Sequence, residues 1–489
     1  MTSIDDQRAS SLAEEDLDAV GLAERVRRGA VSPLELVDAA IRRIERLEPQ
    51  VNALVSTDFE AARARARALS QGPRPPAGLL AGVPFLLKDL LAYPGQRFTL
   101  GSRLFARQVA PAGSPYTERL DAAGLITLGK TTTSELGLLG STESLLSGVT
   151  RNPWSRLHSA TGSSGGAAAA VACGMVPMAH ASDGGGSIRI PASACGLFGF
   201  KPSRGRCAKA AESDLFGLIS EHCVSRSVRD SACLLAVTEA TQVTQEATAS
   251  GSAALGFVRG PAPRRLRIAA YSETLLGRKA GSDAQAALRA TIALCRDLGH
   301  EVHEVDGVAA PRIDGAAISE GFFTLAGAAM AGLADLLTPQ LGRPPGEAEL
   351  EPFTLELIDW YRGLPADALQ RTQAVIARES AAMTEFLSRW DVALCPTMPE
   401  PPPRLGELAP GVGRAELIRR TEVLAGFTAV HNMAGVPAMS VPLYWNQDGL
   451  PIGSHFAAVH GADATLLSLA YELEAARPWW SRRPPLAAR

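Results

Sequence analysis

The chain of 489 residues is 46% hydrophobic and 20% charged, which excludes intrinsic disorder and low-complexity scaffolding for most of its length. At roughly 150 residues per domain that length would hold about three domains, although large α/β enzymes run past it as one unit. Lys and Arg (48) nearly balance Asp and Glu (51), for a formal charge of −3, so no global electrostatic footprint marks nucleic acid or an anionic membrane as a partner.

The first twenty residues are polar and acidic, without the basic start and apolar core of an export signal. Residues 34 to 48 carry apolar side chains at helical spacing, behind a Ser32 cap and Pro33 at the first helical position, which predicts an amphipathic surface helix. A second polar helix is expected over Thr57 to Ser70, and a Pro/Gly break over Gln71 to Pro76. Residues 1–70 thus read as a helical cover on one large domain, 71–489.

From about residue 78 to 240, short apolar runs (GLITLG, GMVPMAHA, GLFGF) alternate with Gly- and Ser-rich turns, the pattern of strands whose loops converge on a site. The most apolar stretch, Ala167 to Ala181, is interrupted by Gly174, Pro177 and His180. It falls short of the ~20 residues a bilayer requires and reads as a buried helix followed by a strand. Gln242 to Arg264 reads as a surface crossing. RLRIAAY, residues 284 to 298 and EVHEV predict strand, helix and strand. The α/β layering that results is a mixed central sheet flanked by helices.

Residues 338 to 353 and 399 to 413 are rich in Pro and Gly and are expected as long loops at the rim of a pocket. The run DVALCPTMP and the segments NMAGVPAMSVPLYW and DGLPIG complete the core, ahead of a last helix near Leu466 to Glu474. Seven cysteines without CxxC or a close Cys/His cluster argue against a disulfide framework and a zinc site, and for a reducing compartment. A cytoplasmic protein is expected.

Three motifs compete for the chemistry. Gly124 to Thr131 satisfies the phosphate-loop formula GxxxxGK[ST], but the residues before Gly124 look helical and Leu125 to Leu128 look like a strand. Lys130 then becomes an ordinary strand-end residue. Gly162 to Gly166 fits the GxSxG elbow of an esterase with Ser164 as nucleophile and His431 or His455 available as base. The preceding RNPWSRLHSAT is polar and not strand-like, which disfavours it.

The third pattern joins three segments: Lys88-Asp89 after an apolar run, the Gly162-Ser163-Ser164-Gly165-Gly166 turn opening an Ala-rich helix, and Asp183 to Pro191. Gly184, Gly185 and Gly186 before Ser187 let main-chain N–H groups converge on one point, as a developing oxyanion needs. Ser187 is therefore a candidate nucleophile. A serine needs a base, and Lys88 supplies one if burial keeps its amine neutral near pH 7. As a purely structural residue, Lys88 would instead pair with Asp89.

These segments resemble the amidase signature family of serine amidohydrolases, over residues 78 to 240 and again near 420 to 475. The resemblance implies a triad of Lys88 as base, Ser163 in a cis peptide bond as proton shuttle and Ser187 as nucleophile, the two serines 24 residues apart. It also implies an oxyanion hole from Gly184, Gly185, Gly186 and Ser187, with Asp183, Arg189 and Ser164 as supporting residues. GFKPSRGR, SRSVRD and NMAGVPAMSVP are also similar to the family's. Thr161, Ala167 and His455 depart from its pattern. RNPW at 151 to 154 and RRPPL near the end are similar to the branch with nylon-oligomer (6-aminohexanoate) amidases and urethanases.

The implied enzyme cleaves the C–N bond of neutral amides, anilides or carbamates through an acyl-enzyme, with no metal and no cofactor. Its pocket wall is expected from Leu136 to Ser147 and from variable loops after residue 310. Its partners are a small-molecule substrate and water, with no nucleic acid or membrane, and the chain is expected as a monomer or homodimer. The alternatives are the Ser164 esterase and an amidotransferase subunit that acts with a partner chain.

Overall fold

Pro84–Lys88 is a fully buried strand, five residues that end on a lysine. It runs parallel to Ile126–Thr131, which also pairs antiparallel with Leu54–Thr57, giving a three-stranded sheet. The computed structural model describes residues 17–72, 77–210, 217–240, 254–305 and 310–487. The expectations for the first sixteen residues, for 73–76 of the Pro/Gly break and for 242–253 of the surface crossing lie outside those ranges.

A second sheet has eight strands in the order Glu301–Glu304, Arg267–Ala270, Val392–Pro396, Pro451–Ala457, Ala438–Trp445, Phe198–Lys201, Ser220–Ser225, Met178–Asp183. Arg267–Ala270 is parallel to both its neighbours and the remaining pairs are antiparallel. This is the mixed sheet flanked by helices that the sequence predicts. The edge strand Met178–Asp183 lies beside Pro84–Lys88, and the Lys88 N–H donates to His180 Nδ1 at 3.3 Å. The two sheets meet where the catalytic candidates lie.

Ser32 and Glu35 form a reciprocal capping box on the helix Pro33–Val51, satisfying two of its free N-terminal donors. Its Leu36, Val37, Ala40, Ile41, Ile44 and Leu47 are buried against the core. The N-terminal segment is more than a helical cover, because Leu54–Thr57, between the helices Pro33–Val51 and Phe59–Gln71, enters the sheet. Four residues carry too little period to announce a strand.

The helix Gly165–Ala172 has every residue buried. Its run of Gly and Ala leaves no bulky side chain to hold neighbours apart, so it packs against both Met178–Asp183 and Arg189–Cys195. Ser155–Ser159, expected to be non-strand, pairs with Arg151–Asn152 as a short antiparallel hairpin. Its SRLHS sequence is polar because most of it faces solvent.

The region after residue 310 is helical rather than looped. Gly315–Leu341 is a 27-residue helix, so the expected loop at 338–353 starts only at Gly342. This helix is long and apolar enough, by length and composition, to cross a membrane, but half of its most apolar window is buried inside the protein. Its apolar faces pack on Pro352–Arg362 and Ala368–Ser388.

Candidate active site

Lys88 is buried without solvent exposure. Its Nζ donates to Ser163 Oγ at 2.8 Å, to Ser182 Oγ at 3.0 Å and to Ser182 O at 3.3 Å. Burial brings its pKa down to about 7, against the opposing pull of the Glu221 and Asp183 charges. Asp89 is not its partner: that carboxylate accepts from the Thr99 N–H and hydroxyl. Lys88 therefore meets hydroxyls and a carbonyl, not a carboxylate, and a neutral amine near pH 7 can accept a proton from one of them.

Ser163 opens the turn ahead of the Ala-rich helix, and the Gly162–Ser163 peptide is cis. Gly162 has no room for a side chain, because a Cβ there would lie 2.2 Å from Ser141 O. Thr161, one of the departures from the family pattern, has φ +59°, the left-handed region that glycine adopts without strain. Its carbonyl accepts from Thr142 Oγ1 at 2.8 Å.

Ser187 is half-buried and lines the same cavity as Ser163, Ser182, Gly184 and Gly185. Its hydroxyl has no hydrogen-bond partner among the described residues, so Lys88 and Ser163 are joined directly while Ser187 faces the cavity beside them. The main-chain amides of Gly184, Gly185 and Ser187 also have no acceptor among the described residues. Gly186 differs from the expectation: its N–H donates to Asp183 Oδ1 at 2.7 Å, which removes it from the set available to an oxyanion. Glycine is required there for another reason, since a Cβ would lie 2.4 Å from Thr428 Oγ1 and φ is +134°.

Asp183 and Arg189 form a fully buried ion pair, Arg189 Nε and Nη2 each donating at 2.9 Å. Asp183 Oδ2 also accepts from the Ile188 N–H at 3.1 Å. Burial works to raise the Asp183 pKa, but the Arg189 charge and its hydrogen bonds outweigh it and hold the carboxyl well below the usual range. Arg189 Nη1 reaches Thr428 O (3.1 Å) and His455 Nε2 (3.0 Å), and Nη2 reaches Asn432 Oδ1 (2.6 Å). Asn432 Nδ2 donates to Asp183 O at 2.7 Å. The Gly184–Ser187 loop is thus tied to a segment some 240 residues further on.

Ser164 Oγ donates to Ser182 O at 3.2 Å and touches no histidine among the described residues. His431 and His455 instead meet as tilted rings, 4.8 Å between centroids, beside Arg189. The elbow esterase lacks its base. The phosphate-loop match is likewise absorbed into the buried strand Ile126–Thr131, with Lys130 Nζ donating to Leu91 O. Among the described residues no three His, Cys, Asp or Glu side chains gather as a metal site.

The cavity in front of Ser187 has a volume of about 160 Å³, many times the ~10–15 Å³ that houses one water. Of the expected stretch Leu136 to Ser147 only Leu136 to Gly140 line it, while other walls come from Gly315–Leu341 and from residues 421 to 429. Neither proline-rich loop reaches it. Sequence reasoning missed Ser182, Thr428, Asn432 and Phe322. Ser182 was accessible, since it follows His180 by two and so shares its face of the strand.

The "Amidase" family model matches residues 35–467. The chain belongs to the amidase signature family. It is a hydrolase of amide C–N bonds, similar to 6-aminohexanoate-cyclic-dimer hydrolase of Paenarthrobacter ureafaciens (34% identical, 96% of both chains). It is also 37% identical to a putative amidase, AmiC, of Mycobacterium tuberculosis, over 95% of both chains. A solved structure of 6-aminohexanoate cyclic dimer hydrolase with substrate superposes on it with TM-score 0.84, at 29% identity, over 96% of this chain and 99% of that one.

Proposed function

We propose that this amidase cleaves neutral, largely apolar amides, anilides or carbamates with Ser187 as nucleophile, Ser163 as proton shuttle and Lys88 as base. The observation that carries the reading is the 2.8 Å bond from a buried, solvent-free Lys88 Nζ to Ser163 Oγ. Neutral Lys88 takes the Ser163 proton, Ser163 takes the Ser187 proton, and Ser187 Oγ bonds the carbonyl carbon. The carbonyl electron pair moves to oxygen, where the Gly184, Gly185 and Ser187 amides stabilise it.

On collapse the C–N bond breaks and Ser163 gives its proton to the leaving nitrogen, because an amine cannot depart as an anion. The Lys88 ammonium then re-protonates Ser163. Water repeats the sequence on the acyl-enzyme and releases the acid. A carbamate presents the same carbonyl to the same groups: C–N cleavage releases the amine and leaves an alkoxycarbonyl-enzyme, whose hydrolysis gives a carbonic half-ester that loses carbon dioxide to leave the alcohol. No step calls for a metal or cofactor, and residues 71–489 supply every catalytic group, with the N-terminal segment packed over them.

The lining supports an apolar substrate: Leu136, Leu138, Ile190, Ile219, Phe322 and Met330 dominate the wall. The test is a product-resolved screen of amides, anilides, esters and carbamates, wild type beside Lys88→Ala. Amine release from amides or carbamates by wild type, lost in Lys88→Ala, is the expected result. Undiminished turnover by Lys88→Ala overturns the assignment.

A further inference from the structure

One carboxylate, Glu422, lines a cavity whose other polar groups are hydroxyls and backbone. It lies on the helix Arg414–Leu424, and Ser319 of the facing helix Gly315–Leu341 donates its hydroxyl to Glu422 Oε1 at 2.6 Å. Oε2 has no partner among the described residues. The cations one turn back, Arg419 and Arg420, give hydrogen bonds to Glu416, so Arg419 acts on Glu422 through its charge alone. Thr421, also on the cavity wall, has a buried Oγ1 with no hydrogen-bond partner among the described residues. A buried hydroxyl left unmatched costs free energy, and a ligand that reaches it removes that cost.

Glu422 and Ser187 line the same cavity. Phe322, one turn after Ser319, packs over the oxyanion loop, 3.3 Å from where a Gly185 Cβ would stand. The helix that holds Glu422 through Ser319 therefore also borders the place where the carbonyl would sit. The lining is mostly apolar, with Ile318, Leu424 and Ala425 among it, and carries this one carboxylate.

Resting on the serine-hydrolase chemistry of the previous section, and departing from its neutral substrate at one point, we propose that Glu422 is a specificity determinant that favours amides with a largely apolar acyl part that ends in an ammonium group. Ser319 orients its carboxylate, and the Thr421 hydroxyl accepts a second N–H of the same group. A substrate with a carboxylate at that position is disfavoured, because it meets a like charge in a partly desolvated cavity.

The test uses three anilides of matched length, with hexanoyl, 6-aminohexanoyl and 5-carboxypentanoyl acyl groups, on the full-length protein. Wild type is expected to rank them in kcat/KM as ammonium, neutral, carboxylate. Glu422→Gln is expected to lower the ammonium-to-neutral ratio by about tenfold or more, the scale of one charge-assisted hydrogen bond, and Glu422→Lys to invert the preference towards the carboxylate. The ratio within one variant cancels any general loss of folded protein. An ammonium-to-neutral ratio of one or less in wild type, or a ratio that Glu422→Gln leaves unchanged, overturns the proposal. Failure of wild type to hydrolyse any of the three overturns the proposed function itself, so the two failures are distinct.

Discussion

Lys88 Nζ and Ser182 lie in contact through both the hydroxyl and the carbonyl of the serine, at 3.0 and 3.3 Å, so the amine is aimed by a neighbouring strand while its third contact goes to Ser163. Three acceptors around one ammonium-sized group fix its direction without supplying a counter-charge. Burial then lowers its pKa to about 7, and the base is ready at neutral pH.

The pH dependence follows from that shift. Turnover requires neutral Lys88, so kcat/KM is expected to rise with pH through about 7 and level above it. The linked effect on stability has a definite sign. The unfolded lysine binds its proton up to about 10.5, so the folded protein bears the full cost of a buried charge below pH 7 and sheds it as pH rises from there. Lys88→Met is therefore expected to abolish activity yet raise Tm, and by more at pH 6 than at pH 9. A Tm gain that is flat with pH would contradict the burial argument.

Ser187→Ala and Ser163→Ala are expected to lower kcat by ~10³-fold or more, as removal of a nucleophile or its proton relay does. Ser164→Ala loses only a bond to Ser182 O, with an expected cost of about 1 kcal/mol in stability and turnover within about tenfold of wild type. Steady-state kinetics on the three variants separate the roles. Loss of activity in Ser164→Ala with retention in Ser187→Ala would reverse the assignment.

Asp183→Asn keeps the shape of the side chain but leaves Arg189 charged and buried without its carboxylate. Breaking such a pair typically costs about 3–5 kcal/mol, so a lower urea midpoint is expected. Because Asp183 also holds the Gly186 and Ile188 amides, kcat is expected to fall with it. A destabilised variant with wild-type kcat would show that the oxyanion loop keeps its shape unaided.

Thr161 holds a left-handed backbone, φ +59°, which costs a β-branched residue roughly 1–2 kcal/mol. Thr161→Gly removes that strain, at the expense of ~0.5–1 kcal/mol of chain entropy. A net change between zero and about 1.5 kcal/mol of added stability is expected, read from the thermal midpoint. A clear drop in Tm would mean that the Thr161 hydroxyl bond to Ala160 O matters more than the backbone.

The amidase was legible in its local chemistry. A glycine run before Ser187, a serine-glycine turn before an all-small helix and a lysine closing an apolar run are each short patterns, and backbone preference and burial act on them where they stand. The capping box at Ser32 and Glu35 and the strands around His180, Phe200 and Leu394 could be read in the same way, because their signals lie within a few residues.

The remaining features depend on partners distant in the chain. That Gly186 spends its amide on Asp183, that Arg189 is gripped by Thr428, Asn432 and His455, and that Leu54–Thr57 completes a sheet with Ile126–Thr131 are outcomes of packing between segments up to 266 residues apart. The pocket wall belongs here too, since helices Gly315–Leu341 and Arg414–Leu424 bring Phe322 and Glu422 to Ser187 only after the sheets have docked. Sequence alone determined which groups can do chemistry, because reactivity resides in residue type and immediate neighbours. Tertiary structure decided which of them face one another and what substrate they meet, because burial and direction are properties of the whole packed chain.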